Sequence, residues 1–273
     1  VPHPFLKWAG GKRQLLDELR GQVMAARPFG RYHEPFVGGG ALFFDLYRRK
    51  LLGRKQAYLS DNNVNLMDVY TAIREEPEAA IRLLAEHKAA HCKEYYYAVR
   101  ARVPESLAAR AARIIYLNRT CFNGLYRENS RGLFNVPMGK YTNPPILDEE
   151  NLYAVSKALK RTKLECRPFA DVLRAAKAGD LVYFDPPYHP LSETASFTAY
   201  AKGGFGADSQ RELAEVFAEL KRRGVKALLS NSMTPFVRDL YAGFRIETVH
   251  ARRSVNSRGD RRGAVEEALV RNY

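Results

Sequence analysis

Apolar and polar positions follow three rhythms along the 273 residues. Apolar-rich runs of strand length predict strands at Leu181 to Asp185, Val225 to Asn231, Phe244 to Val249 and Ala264 to Val270. Shorter strands are expected just before the glycine turn at Gly38, from Gln56 to Ser60 and from Leu164 to Arg167. Apolar positions at helical spacing predict amphipathic helices from Gln14 to Met24, Asp148 to Arg161 and Gln210 to Arg222. Between residues 64 and 118 the same spacing recurs in Leu66, Val69, Tyr70 and Ile73, in Ile81 and Leu84, and in Ile114, Ile115 and Leu117. Strands alternating with helices point to an α/β sheet, interrupted there by an all-helical stretch.

The third rhythm is irregular. From Arg119 to Tyr141, aromatic, amide, glycine and arginine residues interleave, which suits an exposed hairpin with its tip at Asn129-Ser130-Arg131-Gly132. Such a hairpin can enter a nucleic-acid groove: arginine reads guanine through two hydrogen bonds, asparagine serves backbone or adenine, and an aromatic ring wedges a base step. The plain alternative, a floppy polar loop, would waste Phe122, Leu125, Phe134 and Val136. Two other loops stay open between readings. His189 to Ala207, with Phe197, Tyr200 and Phe205, is a lid over a site or a surface loop; Arg252, Arg253, Arg258, Arg261 and Arg262 touch phosphate or are simply solvated.

Charge sharpens this picture. Lys and Arg number 44 against 30 Asp and Glu, an excess of +14 spread along the chain rather than held in a tail. That balance suits a polyanionic partner, with an Arg-rich solubility adaptation as the bland alternative. Cys92, Cys121 and Cys166 lack Cys-x-x-Cys spacing, the amino end has no signal-peptide pattern, and no apolar run nears the ~20 residues of a membrane helix. A reducing cytoplasm is therefore expected. His87 and His91 stand one helical turn apart, but with only Cys92 beside them a solvated helix face outweighs a metal site.

The densest chemistry lies at Asp185-Pro186-Pro187-Tyr188. Neither proline can donate to a sheet ladder, so the strand before them ends at Asp185. In open parallel sheets, ligands bind beyond the carboxyl ends of strands. There, Asp185 and the Pro186 carbonyl are two acceptors that can hold both hydrogens of a conjugated exocyclic amine and push its nitrogen towards sp3 geometry, while Tyr188 stacks on the ring. A strand ending in a Pro-rich turn is the alternative. This segment resembles that of the amino-methyltransferases, which carry Asp or Asn, Pro, Pro and then Tyr or Phe here and move a methyl group from S-adenosylmethionine to an exocyclic nitrogen.

Upstream, Gly10-Gly11-Lys12 allows close backbone approach and a cation beside Trp8, without the spacing of a Walker loop; a core Trp with surface cations is an equal reading. The turn Gly38-Gly39-Gly40 departs from the dinucleotide fingerprint at Phe43, which weakens a nicotinamide reading. Asp61 ends the second strand 21 residues beyond Gly40, near the offset at which a carboxylate grips ribose hydroxyls. An ordinary strand, turn and helix is the alternative.

Together, the segments Phe5 to Lys12, Pro35 to Gly40, Asn123 to Arg127 and Asp185 to Tyr188 resemble, in order and over nearly the whole chain, the Dam-type (D12 class) site-specific DNA adenine-N6 methyltransferases. The resemblance implies a Rossmann-like S-adenosylmethionine-dependent methyltransferase sheet with one antiparallel strand near its end. Residues 1–66 and 164–273 would form this catalytic domain, and residues 67–163 an inserted helical target-recognition domain carrying the hairpin. It further implies that Trp8, Lys12, Asp61 and Asp185 bind S-adenosylmethionine, with Asp61 on the ribose; Gly38 joins them through the glycine turn, and Phe36 and Phe169 are assigned to the adenine moiety. In the hairpin, Phe122 matches an inserting aromatic that is often Tyr in relatives, while Leu125, Arg127, Pro137 and Tyr141 match base-reading residues beside Asn123. The expected reaction methylates an adenine flipped out of duplex DNA, in the family usually that of GATC, with Asp185, Pro186 and Tyr188 catalytic and no metal. A cognate restriction endonuclease is a candidate partner; no membrane is expected, and the location is cytoplasmic with nucleoid association through DNA. An RNA or protein amino-methyltransferase using the same cofactor is the alternative. A non-enzymatic DNA binder would need no Asp185, and an oxidoreductase would bind NAD.

Overall fold

The computed structural model describes residues 1–8, 10–12, 14–191, 205–252 and 264–273. Its strands are β1 (Tyr32–Glu34), β2 (Ala57–Asp61), β3 (Thr162–Cys166), β4 (Leu181–Phe184), β5 (Lys226–Ser232), β6 (Arg245–Arg252) and β7 (Ala264–Arg271). They form one sheet in the order β3-β2-β1-β4-β5-β7-β6. The pairs β1–β2, β1–β4 and β4–β5 are parallel, whereas β7 runs antiparallel to both β5 and β6. The fold is thus mixed α/β with a mostly parallel sheet and the antiparallel strand expected near its end.

Along the chain, α1 (Leu16–Ala25) precedes β1 and α2 (Ala41–Arg48) follows it. The helical interruption resolves into α3 (Val64–Glu75), α4 (Pro77–Ala89), α5 (Lys93–Ala101) and α6 (Leu107–Thr120), with α7 (Glu149–Leu159) just before β3. Then come α8 (Val172–Ala175), α9 (Ala207–Arg222) and α10 (Pro235–Leu240). Among the described residues no helix is long and apolar enough to cross a membrane.

The chain divides into two compact units. The first comprises residues 1–11, 38–51 and 61–166, the second residues 12–37, 52–60 and 167–273. In the first, α6 is buried almost all round, through Ala108, Ala111, Ala112, Ile114, Ile115, Tyr116 and Leu117, because α3 and α4 pack against it. Side chains set the helix starts: Asn63 accepts from Leu66 N at 3.0 Å, Ser106 caps α6, Asp148 caps α7 and Pro77 opens α4. In the second unit, Leu213, Val216, Phe217 and Leu220 form one stripe of α9, and with Val182, Phe184, Ala227 and Leu229 they build the core under β4 and β5.

Boundaries differ from expectation in places. β3 starts at Thr162 rather than Leu164, and β6 extends to Arg252, the cross-strand partner of Ala264. The short α10 has no counterpart in the hydrophobic pattern, since six residues cannot display a period; Thr234 caps it, and Pro235 occupies its first position.

Candidate active site

All four residues of β4 are buried, and the chain leaves the sheet at Asp185. Asp185 Oδ1 receives Lys12 Nζ at 2.8 Å and the Ser230 hydroxyl at 3.0 Å. The Ser230 hydroxyl also lies 3.0 Å from that of Tyr183, so β4 and its neighbour β5 fix the carboxylate together. Burial pushes the Asp185 carboxyl above the usual carboxylate range, against the opposing pull of Lys12 and Ser230.

The turn after Asp185 is tied down by amides. Gln210 Nε2 donates to the Pro187 carbonyl at 2.9 Å, Asn231 Nδ2 donates to Gln210 Oε1 at 2.9 Å, and the His189 N–H donates to Asn231 Oδ1 at 2.9 Å. Pro186 is buried, and among the described residues none donates to its carbonyl. Lys12 Nζ sits 4.4 Å from the centroid of the Tyr188 ring, whose hydroxyl donates to Glu267 Oε2 at 2.6 Å. Phe36 and Phe169 stack at 5.3 Å, and Phe205 meets both edge-on at 5.5 and 5.7 Å. Ser230, Gln210, Asn231 and Glu267 escape a reading by motif. Ser230 and Asn231 carry a faint signal as polar residues that follow the apolar run of β5, whereas Gln210 and Glu267 stand beside other polar or charged residues.

In the first unit, Asp61 accepts from the N–H of Gly38 at 3.3 Å and of Asn63 at 3.1 Å. Burial raises its pKa, while backbone donors from Asn63, Gly38 and Asn62 pull the other way. Gly38 has φ +47, and a Cβ there would stand 2.9 Å from Trp8 Cδ1, so backbone and indole lie closer than any side chain permits. The Tyr70 hydroxyl holds the Gly38 carbonyl at 3.0 Å.

The same unit contains the hairpin, which is looser than a ladder. Isolated bridges pair Cys121 with Met138 and Glu128 with Phe134, and between them Phe122–Gly124 forms a tight turn with Asn123 at φ 55 while Pro137 has no N–H to donate. The tip forms as expected: the Asn129 side chain accepts from the N–H of Arg131 and Leu133. Phe134 and Val136 are buried, whereas Phe122 and Leu125 are 50% and 45% exposed. The Phe122 N–H donates to the Pro137 carbonyl at 2.9 Å, Arg127 Nε donates to Asn135 Oδ1 at 2.7 Å, and Lys7 Nζ lies 4.6 Å from the Tyr141 ring centroid. Asn118 clasps the Lys7 backbone at both N–H and C=O and also donates to the Gly124 carbonyl. Trp8 packs on Tyr126 at 5.0 Å.

The other sequence candidates carry no such constellation. His87 and His91 are engaged by the Tyr95 and Tyr116 hydroxyls, each at 2.8 Å, and no group among the described residues could hold a metal. The three cysteines are free thiols. Of the expected lid, residues 192–204 lie outside the described residues, as do Arg253, Arg258, Arg261 and Arg262 of the basic tip.

A family model described as D12 class N6 adenine-specific DNA methyltransferase matches residues 8–255. The chain is 41% identical over 278 residues to the Type II methyltransferase M1.LlaDCHI of Lactococcus lactis subsp. cremoris, across 99% of this chain and 95% of that protein. It is 42% identical over 287 residues to the Type II methyltransferase M.MjaIII of Methanocaldococcus jannaschii, across 99% of each. Similarity to the DNA adenine methylase of Escherichia coli is 37% identity over 273 residues, across 97% of this chain and 94% of that protein. With similarity extending over nearly its whole length, the chain belongs to the D12 class N6 adenine-specific DNA methyltransferases.

Proposed function

We propose that this chain transfers a methyl group from S-adenosylmethionine to N6 of an adenine flipped out of a short duplex DNA site, with GATC as the expected sequence. The observation that carries the reading is the setting of the proline turn: Lys12 and Ser230 both engage Asp185 Oδ1, and the Pro186 carbonyl has no donor among the described residues. Asp185 Oδ2 and the Pro186 oxygen are therefore the acceptors assigned to the two amino hydrogens, with Tyr188 stacked on the base. An ionised Asp185 also stabilises the positive charge that develops on nitrogen as its lone pair is used. The surplus proton becomes acidic only after transfer and leaves to water.

S-adenosylmethionine, when bound, supplies an electrophilic methyl group on a sulfonium. The residues of the first unit suit it. Asp61 is an acceptor already oriented by backbone N–H groups, as ribose hydroxyls require, and the Gly38 and Trp8 contact leaves bare backbone beside a flat indole. Lys12, Phe36, Phe169 and Asp185 complete the assigned set.

Target recognition is assigned to residues 67–163 and catalysis to residues 1–66 and 164–273. Exposure of Phe122 and Leu125 suits a wedge and an apolar base contact, and Asn123, Arg127, Pro137 and Tyr141 are the further base-facing candidates. Extruding the base costs a few kcal/mol, and the +14 excess favours capture of the duplex. The Type II designation of two relatives favours a cognate restriction endonuclease as partner. The test is to expose unmethylated plasmid DNA to the protein with methyl-labelled S-adenosylmethionine and map N6-methyladenine. Label at GATC adenines is expected; label in RNA or protein instead, or NAD rather than S-adenosylmethionine binding by calorimetry, overturns the reading.

A further inference from the structure

The role given to Tyr188 needs only a ring, because a stacked base contacts the π-face and a phenylalanine would present the same face. Yet the hydroxyl is engaged. It donates at 2.6 Å to Glu267 Oε2, a carboxylate from β7, 79 residues away along the chain. In the antiparallel pairing of β5 with β7, Glu267 lies opposite Ser232, and Leu269 lies opposite Ser230. Residues two apart on a strand share a face, and directly paired residues share it across the ladder. Ser230 and Glu267 therefore project from the same side of the sheet, one reaching Asp185 and the other Tyr188. Two neighbouring strands each supply one side chain behind the turn.

We propose that Glu267 is a positioning residue for the methyl transfer, holding the Tyr188 ring in the one orientation in which it can stack on the extruded adenine. The proposal rests on the function proposed above. The ring is held at two points: Lys12 Nζ over its face at 4.4 Å, and Glu267 at its hydroxyl. A ring held at the hydroxyl cannot rotate about its χ1 bond without breaking a charge-assisted hydrogen bond. The site also tolerates a cost for this carboxylate. Burial and the Asp185 charge both raise the Glu267 pKa, with the Tyr188 hydroxyl and Lys12 opposing them. Acids perturbed by burial and by a neighbouring carboxylate cluster at functional sites.

The experiment compares Glu267→Ala, Glu267→Gln, Tyr188→Phe and the Glu267→Ala/Tyr188→Phe double variant by single-turnover methylation, with equilibrium binding of DNA and S-adenosylmethionine measured alongside. Fluorescence of 2-aminopurine at the target position reports extrusion and stacking. Glu267→Ala should slow transfer by about 10- to 100-fold, the scale of a small misplacement of reacting groups, with both binding constants unchanged. Tyr188→Phe should match it, and the double variant should be no slower than either single one, since both remove one hydrogen bond. Glu267→Gln, which keeps an acceptor oxygen, should recover most of the loss. An unchanged rate in Glu267→Ala, or losses that multiply in the double variant, overturns the proposal. So does a loss that tracks the folded fraction in urea and is not recovered by Glu267→Gln. If wild-type protein forms no N6-methyladenine, the proposed function itself fails. If wild-type methylates and Tyr188→Ala abolishes transfer while Glu267→Ala does not slow it, only the role of Glu267 is lost.

Discussion

Lys12 Nζ stands 2.8 Å from Asp185 Oδ1, with 7% and 20% of the two side chains exposed. In so buried a setting the ammonium is what keeps the carboxylate usable, because desolvation alone drives its pKa upward. On the proposed reading the ionised form is the stronger acceptor for the adenine amine and the one that stabilises the charge developing on nitrogen. Replacing Lys12 by Met removes the opposing charge, raises the Asp185 pKa further and lowers the ionised fraction at any given pH. The acid limb of the methylation rate should therefore move to higher pH in Lys12→Met and stay nearer wild type in Lys12→Arg. Single-turnover rates followed as the pH is lowered from neutrality decide it. An unshifted acid limb would separate Lys12 from the ionisation of Asp185. Asp185→Ala should cost about 100- to 1000-fold in rate above the acid limb, the scale for losing one preorganised electrostatic partner, and the cost should shrink as the wild-type carboxyl takes up its proton.

The glycine turn makes a second prediction. Gly38 holds φ +47 and lies so near Trp8 that an added Cβ would sit 2.9 Å from the indole. Gly38→Ala therefore both strains the backbone and displaces Trp8, while its N–H loses alignment with Asp61. S-adenosylmethionine affinity should fall about 10- to 100-fold, equivalent to one or two hydrogen bonds to a charged group. Asp61→Ala should fall by a similar factor. Calorimetry with the cofactor alone is sufficient, and affinity unchanged in both variants would remove the glycine turn from the cofactor site.

How far the sequence reveals this molecule depends on whether a residue acts locally. The end of β4 before the Asp185 turn is legible because neither following proline can continue a ladder. The sheet is legible because β4 is apolar and buried throughout and β5 holds the buried Ala227, Leu228 and Leu229. The residues behind the turn are not: Ser230, Gln210 and Glu267 act across 45, 23 and 79 residues of chain, and a polar side chain in a strand or helix does not name the distant group it serves. The hairpin lies in between. Its tip follows from Asn129 and Gly132, but the turn at Asn123 interrupts it, and the clasp of Asn118 on Lys7 spans 111 residues.

The hairpin carries a specificity prediction. Arg127 is exposed and donates to Asn135 Oδ1 at 2.7 Å, so its guanidinium is held in place before any base arrives. Arg127→Ala should relax discrimination at one position of the site by about 1–3 kcal/mol, the value of a bidentate base contact, leaving the other positions unchanged. Asn135→Ala should give a weaker effect at the same position. Phe122→Ala should instead weaken extrusion uniformly across sequences, read as lower 2-aminopurine fluorescence. Methylation of a library of single-substituted sites separates the cases; uniform loss in Arg127→Ala would assign that side chain to phosphate.

The last prediction concerns stability at the far side of the sheet. His33 is buried and stacks on Tyr58 at 4.6 Å, and its Nε2 lies 3.1 Å from Asp180 Oδ2. Among the described residues its Nδ1 has no partner, so a second ring proton would sit in the interior without an acceptor. Burial accordingly lowers the His33 pKa to about 4. The unfolded chain, with the ordinary histidine value of about 6.5, takes up this proton first, so stability is complete above that value and falls as pH drops towards the folded one. The loss from His33 should reach roughly 3 kcal/mol by pH 4. Asp180 behaves differently. Its pKa is depressed by the Arg31 guanidinium and by backbone N–H donors of Arg31 and Lys177, so its contribution persists until the pH falls below the ordinary carboxylate range. His87, His91 and His189 are also lowered by burial and slope in the same sense, with or without His33. The informative quantity is therefore the difference between wild type and His33→Phe, which keeps a ring against Tyr58 but cannot titrate. Urea unfolding between pH 7 and 4 should give a shallower decline in the variant by about that 3 kcal/mol; parallel declines would mean that His33 is protonated at its ordinary pKa in the folded protein.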